Sequence, residues 1–310
     1  MKAVRFHDYG AADVLRYEEA PMPLLADGDL LIEVQAAGVN PADTQFRRGD
    51  YREFAPLVLP AIVGWDVAGT VARCGSEVSS FKRGDAVFAL ADMARAGAYA
   101  QYIAVAAAHV ALAPCHLALE HAAGVPLAAL TAWTALFDAA QLQAGQTVLV
   151  HAGAGGVGLF AIQLARRAGA HVVTTASTAN HDLLRQMSAG TVIDYRREDF
   201  AARLRDIDVV LDTIGGDTRE RSWPVLRKDG VLVAIAMPPP DARAAERHGV
   251  RSATMAVAPN GSRLSEIAAL IDGGELQVVI DSEFPLAQAA DAHRRIEQGH
   301  ARGKIVLRVA

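Results

Sequence analysis

With 310 residues and a formal net charge of −5, the chain can bury a large core and divide into two domains, and no run of lysine and arginine exceeds a pair. Nucleic acid is thereby excluded as a main partner. The two cysteines, Cys74 and Cys115, stand far apart outside any C-x-x-C spacing, which excludes a disulfide framework and a structural zinc site and points to a cytoplasmic location.

The opening residues, Met1 to Phe6, enter a strand-like pattern at once, with no apolar stretch of the secretory type. Short strands and turns follow. Residues 31–36 partly alternate, 64–72 are rich in β-formers, 84–88 follow a turn, and 99–105 form another apolar run. To about residue 116 the texture is that of a compact, mostly β domain. Within it, Asn40, Pro41 and Asp43 read as a helix cap, a first-turn proline and an acid near the helix start. The uncharged, apolar run 122–137 falls short of the ~20 residues a membrane-spanning helix needs. It also contains Gly124 and Pro126, and reads as a buried helix with its preceding turn.

From about 117 to 257 the pattern changes. Strand candidates at 147–150, 171–175, 191–194, 208–212, 230–235 and 252–257 are mostly separated by helical stretches. Such alternation predicts an α/β domain with a doubly wound parallel sheet. The tail holds helical patterns at 262–271 and 286–297 and a final strand at 304–309, expected to pack back on the first domain.

One stretch organises this half. The strand at 147–150 runs into Gly153-Ala154-Gly155-Gly156-Val157-Gly158, a G-x-G-x-x-G turn, and then into an amphipathic run. Here Gly153 is expected to allow the tight turn, Gly155 to let the main chain approach a pyrophosphate, and Gly158 to let helix and strand pack closely. Free N–H groups at the helix start then favour an anion. In NAD-selective sheets an acid about 20 residues beyond the glycines binds the ribose 2′-hydroxyl. This chain instead has Thr174-Thr175-Ala176-Ser177-Thr178-Ala179-Asn180-His181, with no acid until Asp182. Hydroxyls and an imidazole donate to a 2′-phosphate where a carboxylate would repel it. NADPH is the expected cofactor. Tyr195 and Arg196, after the third strand, could cover the same end, and a solvated loop is the alternative for each of these side chains.

The chain resembles the zinc-independent medium-chain dehydrogenases/reductases, in the zeta-crystallin-like quinone oxidoreductase branch. The matching segments are Val39-Asn40-Pro41-Ala42-Asp43 with Arg47 and Gly49, Gly64-Trp65-Asp66-Val67-Ala68-Gly69, Thr131-Ala132-Trp133-Thr134-Ala135-Leu136, Ala152 to Gly158, Val192-Ile193-Asp194-Tyr195-Arg196 and Gly303-Lys304-Ile305-Val306-Leu307. They run in family order over most of the chain.

The resemblance implies a GroES-like domain of residues 1–117 and 262–310, a Rossmann NADP(H)-binding domain of 118–261, and an active site in the cleft between them. It implies Asn40 and Thr131 near the nicotinamide ribose and Gly153, Ala154, Gly155, Gly156 and Val157 on the pyrophosphate. Ser177, His181 and Tyr195 fall at the 2′-phosphate end, and Ile214, Ile235, Ala236 and Met237 along the cofactor's length. Gln45, also expected among the cofactor-binding residues, stands where many relatives carry tyrosine, and His181 where relatives often carry lysine. Asn40 is expected both to cap its helix and to face the cofactor. The catalytic zinc ligands of metal-dependent members correspond to Asn40, Trp65 and Leu127, none of them competent, so no metal is expected. His109, His116 and His121 have no metal-site spacing. A homodimer is also implied, through edge strands such as 252–257.

Without a Lewis acid, alcohol–ketone interconversion is disfavoured. A quinone or α,β-unsaturated carbonyl delocalises the charge that arrives with a hydride, and then asks the protein chiefly for alignment. Tyr51 is the candidate for a polar contact to the acceptor oxygen, with Asn40 beside the cofactor; a loop tyrosine without that role and a solvent proton are the alternatives. A non-catalytic NADPH-binding redox sensor or scaffold is the rival reading from another class. Within the enzyme class the rival is an enoyl-thioester reductase.

Overall fold

The computed structural model describes residues 1–53, 55–95 and 97–309. Two compact units emerge. The first comprises Met1–Leu130, Ala258–Gly274 and Val278–Ala310; the second comprises Thr131–Val257 and Glu275–Gln277. The division thus falls at 130/131 and 257/258, where the sequence suggested 117/118 and 261/262.

The first unit begins with β1 (Lys2–Phe6), β2 (Arg16–Glu19), β3 (Asp29–Val39), β4 (Ala61–Ile62), β5 (Asp66–Cys74), β6 (Ala86–Leu90), β7 (Tyr102–Ala106) and β8 (Val110–Leu112). It also holds α1 (Pro41–Arg48) and α2 (Leu119–Ala122), the latter packed on β3 and β5, which draws residues beyond 117 into this unit. The strand expected at 31–36 is longer because Ala36, Ala37 and Val39 are all buried, so the alternation that marks a half-buried strand is lost at its end. The strand expected from residue 64 starts at Asp66. Gly64 takes φ +94 under the Tyr99 ring, and its carbonyl accepts from the N–H groups of Gly97 and Ala98.

The run at 122–137 becomes α3 (Pro126–Trp133) followed by a wide turn, Thr134–Ala139. In the second unit, β9 (Thr147–Val150), β10 (His171–Ala176), β11 (Thr191–Asp194), β12 (Ile207–Asp212), β13 (Leu226–Ala234) and β14 (Arg251–Thr254) form a parallel sheet in the order β11-β10-β9-β12-β13-β14. Between them run α4 (Gly156–Arg167), α5 (His181–Gln186), α6 (Phe200–Arg203), α7 (Gly216–Glu220) and α8 (Ala242–His248). Leu149, Val210 and Leu232, from the three central strands, are fully buried at its centre. The strand order reverses between β9 and β12, so the crevice beyond their C-terminal ends is the switch point where such sheets bind ligands. At one edge β14 stops at Thr254, three residues before the expected limit.

The tail supplies α9 (Gly261–Asp272), β15 (Ile280–Pro285), α10 (Ala289–Glu297) and β16 (Lys304–Arg308). Here β16 pairs antiparallel with β3 and parallel with β15, so the larger sheet of the first unit reads β15-β16-β3-β5-β6-β8, with β7 also on β3. β15 was not expected: it is an edge strand in which Asp281, Ser282 and Glu283 break the apolar pattern. No helix among the described residues is long and apolar enough to cross a membrane.

Candidate functional site

In the second unit the glycine turn leaves β9 at the switch point. Its left-handed residue is Ala152 (φ +49), a correction to the role expected of Gly153. What Gly153 supplies is room, since a Cβ there would lie 2.0 Å from Thr174 Oγ1. Gly158 is similarly constrained, 2.5 Å from the Ala152 carbonyl oxygen. Gly155 differs: the single nearby atom is the Ala152 oxygen at 3.3 Å, and the residue caps α4 without a side chain. The first N–H groups of α4, beginning at Gly156 and Val157, have no intrahelical partner and favour an anion.

Behind this turn His151 is buried and clamped. Its Nε2 lies 2.9 Å from Ser222 Oγ and its Nδ1 3.1 Å from Thr175 Oγ1. Because Ser222 donates to the Thr218 carbonyl, the imidazole carries its proton on Nε2 and accepts from Thr175 on Nδ1. Desolvation pushes its pKa down to about 4.

At the ends of β10 and β11, Ser177 is half-buried and Tyr195 exposed, with the Arg196 guanidinium 5.7 Å from the Tyr195 ring centre. His181 Nε2 is buried without a hydrogen-bond partner among the described residues. Not every hydroxyl counted as a phosphate donor is free: Thr178 donates to Asp194, whose carboxyl that bond holds below its usual range. Thr131 Oγ1 is likewise buried and unpartnered among the described residues. Such orphaned polar atoms, with the open space above Gly155, fit a dinucleotide as partner.

Ile214 and Met237 are exposed, with Ile235 and Ala236 half-buried. Their loops are buckled together by a pair that sequence reasoning missed. The Asp212 carboxylate accepts from the N–H groups of Ile214 and Gly215, at 3.0 and 2.8 Å. It also pairs with Arg219, whose other nitrogens donate to the carbonyls of Ala236 and Pro238.

In the first unit two of the three positions equivalent to zinc ligands bond to Asp66, and the third adjoins it. Asn40 Nδ2 donates to Asp66 Oδ2 at 2.9 Å, the Leu127 N–H donates to Oδ1 at 2.7 Å, and Trp65 is its chain neighbour. Lys304 Nζ donates to Asn40 Oδ1, to Asp66 at 3.4 Å and to the Val39 carbonyl at 3.3 Å. Burial pushes the Asp66 carboxyl up and the ammonium opposes it. Asn40 stands at the expected N-cap of α1, in a capping box with Asp43: the Asn40 N–H donates to Asp43 Oδ2 at 2.7 Å, and the Asp43 N–H donates back to the Asn40 carbonyl at 3.0 Å.

Asp43 also accepts from the Tyr99 hydroxyl at 2.9 Å, and that oxygen lies 3.2 Å from His293 Nε2. Burial raises the Asp43 pKa to about 7 and lowers that of His293 to about 3. Tyr51 donates to Gln45 Oε1 at 2.7 Å, so the structure brings these two candidates together. Desolvation raises the Tyr51 pKa as well.

His116, with no metal spacing in the sequence, lies beside Cys115 and Asp272, their ligand atoms within 4.8 Å of one another. The Asp272 carboxylate accepts from both main-chain N–H groups, of Cys115 at 3.1 Å and His116 at 2.9 Å, and so buckles that loop to the end of α9. Asp272 lies 156 positions from His116, out of reach of any local pattern.

Residues 26–115 match the alcohol dehydrogenase GroES-like domain, and residues 187–307 match the model described as zinc-binding dehydrogenase. The NADPH-dependent alkenal/one oxidoreductase of Arabidopsis thaliana chloroplasts is 36% identical over 99% of this chain and 79% of its own. A quinone oxidoreductase from Coxiella burnetii superposes with a TM-score of 0.91 at 33% identity, over 100% of this chain and 99% of that one. The Escherichia coli quinone oxidoreductase solved with NADPH gives 0.90 at 29% identity over 100% of both chains. With an amide, an indole and an aliphatic side chain at the metal-ligand positions, the chain belongs to the zinc-independent, quinone oxidoreductase-like branch of the medium-chain dehydrogenases/reductases.

Proposed function

We propose that this protein is an NADPH-dependent oxidoreductase that reduces a quinone or an α,β-unsaturated carbonyl without a metal. The observation that carries the reading is the set around Asp66, where Asn40, Trp65 and Leu127 offer no ligand for zinc. Bound NADPH supplies the hydride. Charge arriving on a quinone or enone spreads into an aromatic or enolate system, so the protein has no isolated alkoxide to stabilise.

The chain's own residues then bind and align. Gly153 to Val157 hold the pyrophosphate with main-chain N–H groups, and Ser177, His181 and Tyr195 surround the 2′-phosphate. Thr131 and Asn40 hold the nicotinamide-side ribose, while Ile214, Ile235, Ala236 and Met237 give an apolar wall. Tyr51, tied to Gln45, makes the polar contact to the acceptor oxygen. Its single proton is donated to Gln45, so water protonates the product unless that bond is exchanged.

The reading includes a cytoplasmic homodimer joined along β14, an edge strand with one neighbour in the sheet. Absorbance at the reduced-nicotinamide band, with a panel of quinones, enals and enones, tests the activity. Turnover on at least one is expected; tight NADPH binding without turnover on any would overturn it in favour of a sensor or scaffold. Sedimentation at about twice the chain mass is expected for the dimer, and a monomer at micromolar concentration refutes it.

A further inference from the structure

Asn40, Asp66 and Lys304 are all buried, yet they come from three separate parts of the chain, 26 and 264 positions from Asn40. Their hydrogen-bonding capacities differ in a way that matters. A carboxylate only accepts and an ammonium only donates, whereas a primary amide does both and can turn over about its last bond. Asp66 receives Asn40 Nδ2–H on one side, and Lys304 donates to Asn40 Oδ1 on the other. Turning the amide over would set its oxygen against a carboxylate and its NH2 group against an ammonium. Only one flip is therefore compatible with the neighbours.

The clamp is itself anchored. Asp66 Oδ1 accepts from the Leu127 N–H at 2.7 Å, and Lys304 is held by the Val39 carbonyl at 3.3 Å. Space around it is closed as well, because a Cβ at Gly38 would lie 2.8 Å from Asp66 Oδ2 and 2.4 Å from the Ala123 carbonyl oxygen. With one Nδ2–H given to Asp66, the amide retains one uncommitted N–H.

We propose that Asp66 and Lys304 are positioning residues that lock the Asn40 amide in a single flip, so that it offers its remaining N–H to the cofactor ribose. The inference rests on the assignment of Asn40 to the cofactor in the preceding reading. The hydrogen bonds of Asp66 and Lys304 go to protein groups, not to a ligand. Both act through Asn40, and the group they present is a hydrogen-bond donor, so the ribose oxygen it meets must accept.

The test is a double-mutant cycle read by NADPH affinity, from quenching of protein fluorescence. Asp66→Asn keeps the shape but replaces a group that only accepts by one that also donates, so that Lys304 alone still sets the flip; it is expected to weaken NADPH binding by up to about tenfold, the size of one lost hydrogen bond. In an Asn40→Ala background the same change is expected to have no further effect. A merely structural role predicts equal loss in both backgrounds, and that result, or wild-type affinity in Asp66→Asn, overturns the proposal. Should Asp66→Asn fail to fold, Lys304→Gln replaces it in the cycle, because a glutamine amide also donates or accepts. Lys304→Arg, which still only donates, is expected to bind within about twofold of wild type, and a tenfold loss there counts against the clamp. No NADPH binding by the wild-type chain would instead overturn the underlying reading and this inference with it; normal binding by Asn40→Ala removes the clamp's role while leaving the rest of the cofactor site standing.

Discussion

The Nε2 atom of His151 lies 2.9 Å from the hydroxyl of Ser222, 71 positions away in the chain. This bond holds the end of β9 to the residues after α7, while the bond that Nδ1 accepts from the Thr175 hydroxyl, at 3.1 Å, requires a neutral ring. Burial lowers the His151 pKa from 6.5 to about 4, so between those values the unfolded chain takes up a proton that the native ring refuses. The corresponding stability is present above pH 6.5 and is lost as the pH falls toward 4. His151→Gln removes the titrating group. It is expected to be less stable than wild type at pH 7.5, with the gap narrowing by about 3 kcal/mol toward pH 4.5. Urea denaturation at both pH values measures this.

Asp43 has the opposite sign. Its pKa rises from 3.8 to about 7, chiefly by burial, so its contribution is fully present below pH 3.8 and is lost as the pH rises through 7. Asp43→Asn is therefore expected to gain on wild type between pH 5 and 8, by on the order of a few kcal/mol. Thermal unfolding followed across that range gives the slope; a gap that closes with rising pH contradicts it.

The glycines of the turn separate fold from function. Gly153→Ala drives a Cβ to 2.0 Å from Thr174 Oγ1, where that hydroxyl is held by the Val150 carbonyl, and should cost about 1–3 kcal/mol of stability. Gly155→Ala meets only one atom at 3.3 Å, and should leave unfolding nearly unchanged while weakening NADPH binding at least tenfold. Melting temperature and fluorescence titration, taken together, distinguish the two outcomes.

Arg219 should matter beyond its own charge. Arg219→Met leaves the fully buried Asp212 carboxylate without its cation and frees the carbonyls of Ala236 and Pro238. A loss of about 3–5 kcal/mol in urea denaturation is expected, and a raised KM for NADPH in any variant that still folds.

Much of this was legible because of how parallel strands are buried. β9 and β11 lie where the sequence placed them, residue for residue: β9 because a strand covered on both faces reads as an apolar run, and β11, an edge strand, because its β-branched Thr191, Val192 and Ile193 read as strand. β15 escaped because Asp281 and Glu283 suit a partly exposed edge and read as loop. The glycine spacing pointed to the turn, but steric fit assigned the roles within it, and the left-handed position went to Ala152. Thr178 looked like a phosphate donor until the fold set Asp194 beside it. The Asn40 clamp had no local signature at all, because its members meet only when β3, β5 and β16 have paired.

That last pairing constrains the order of assembly. Val39 and Lys304 are 265 positions apart, and the sheet that joins them encloses the whole of the second unit's main segment within its loop. On a ribosome, residues 131–257 can complete their sheet as soon as they emerge, whereas the first unit must wait with β3 lacking a neighbour until β16 has been made. For that interval the unsatisfied flank of β3 is the part of the nascent chain most exposed to wrong partners.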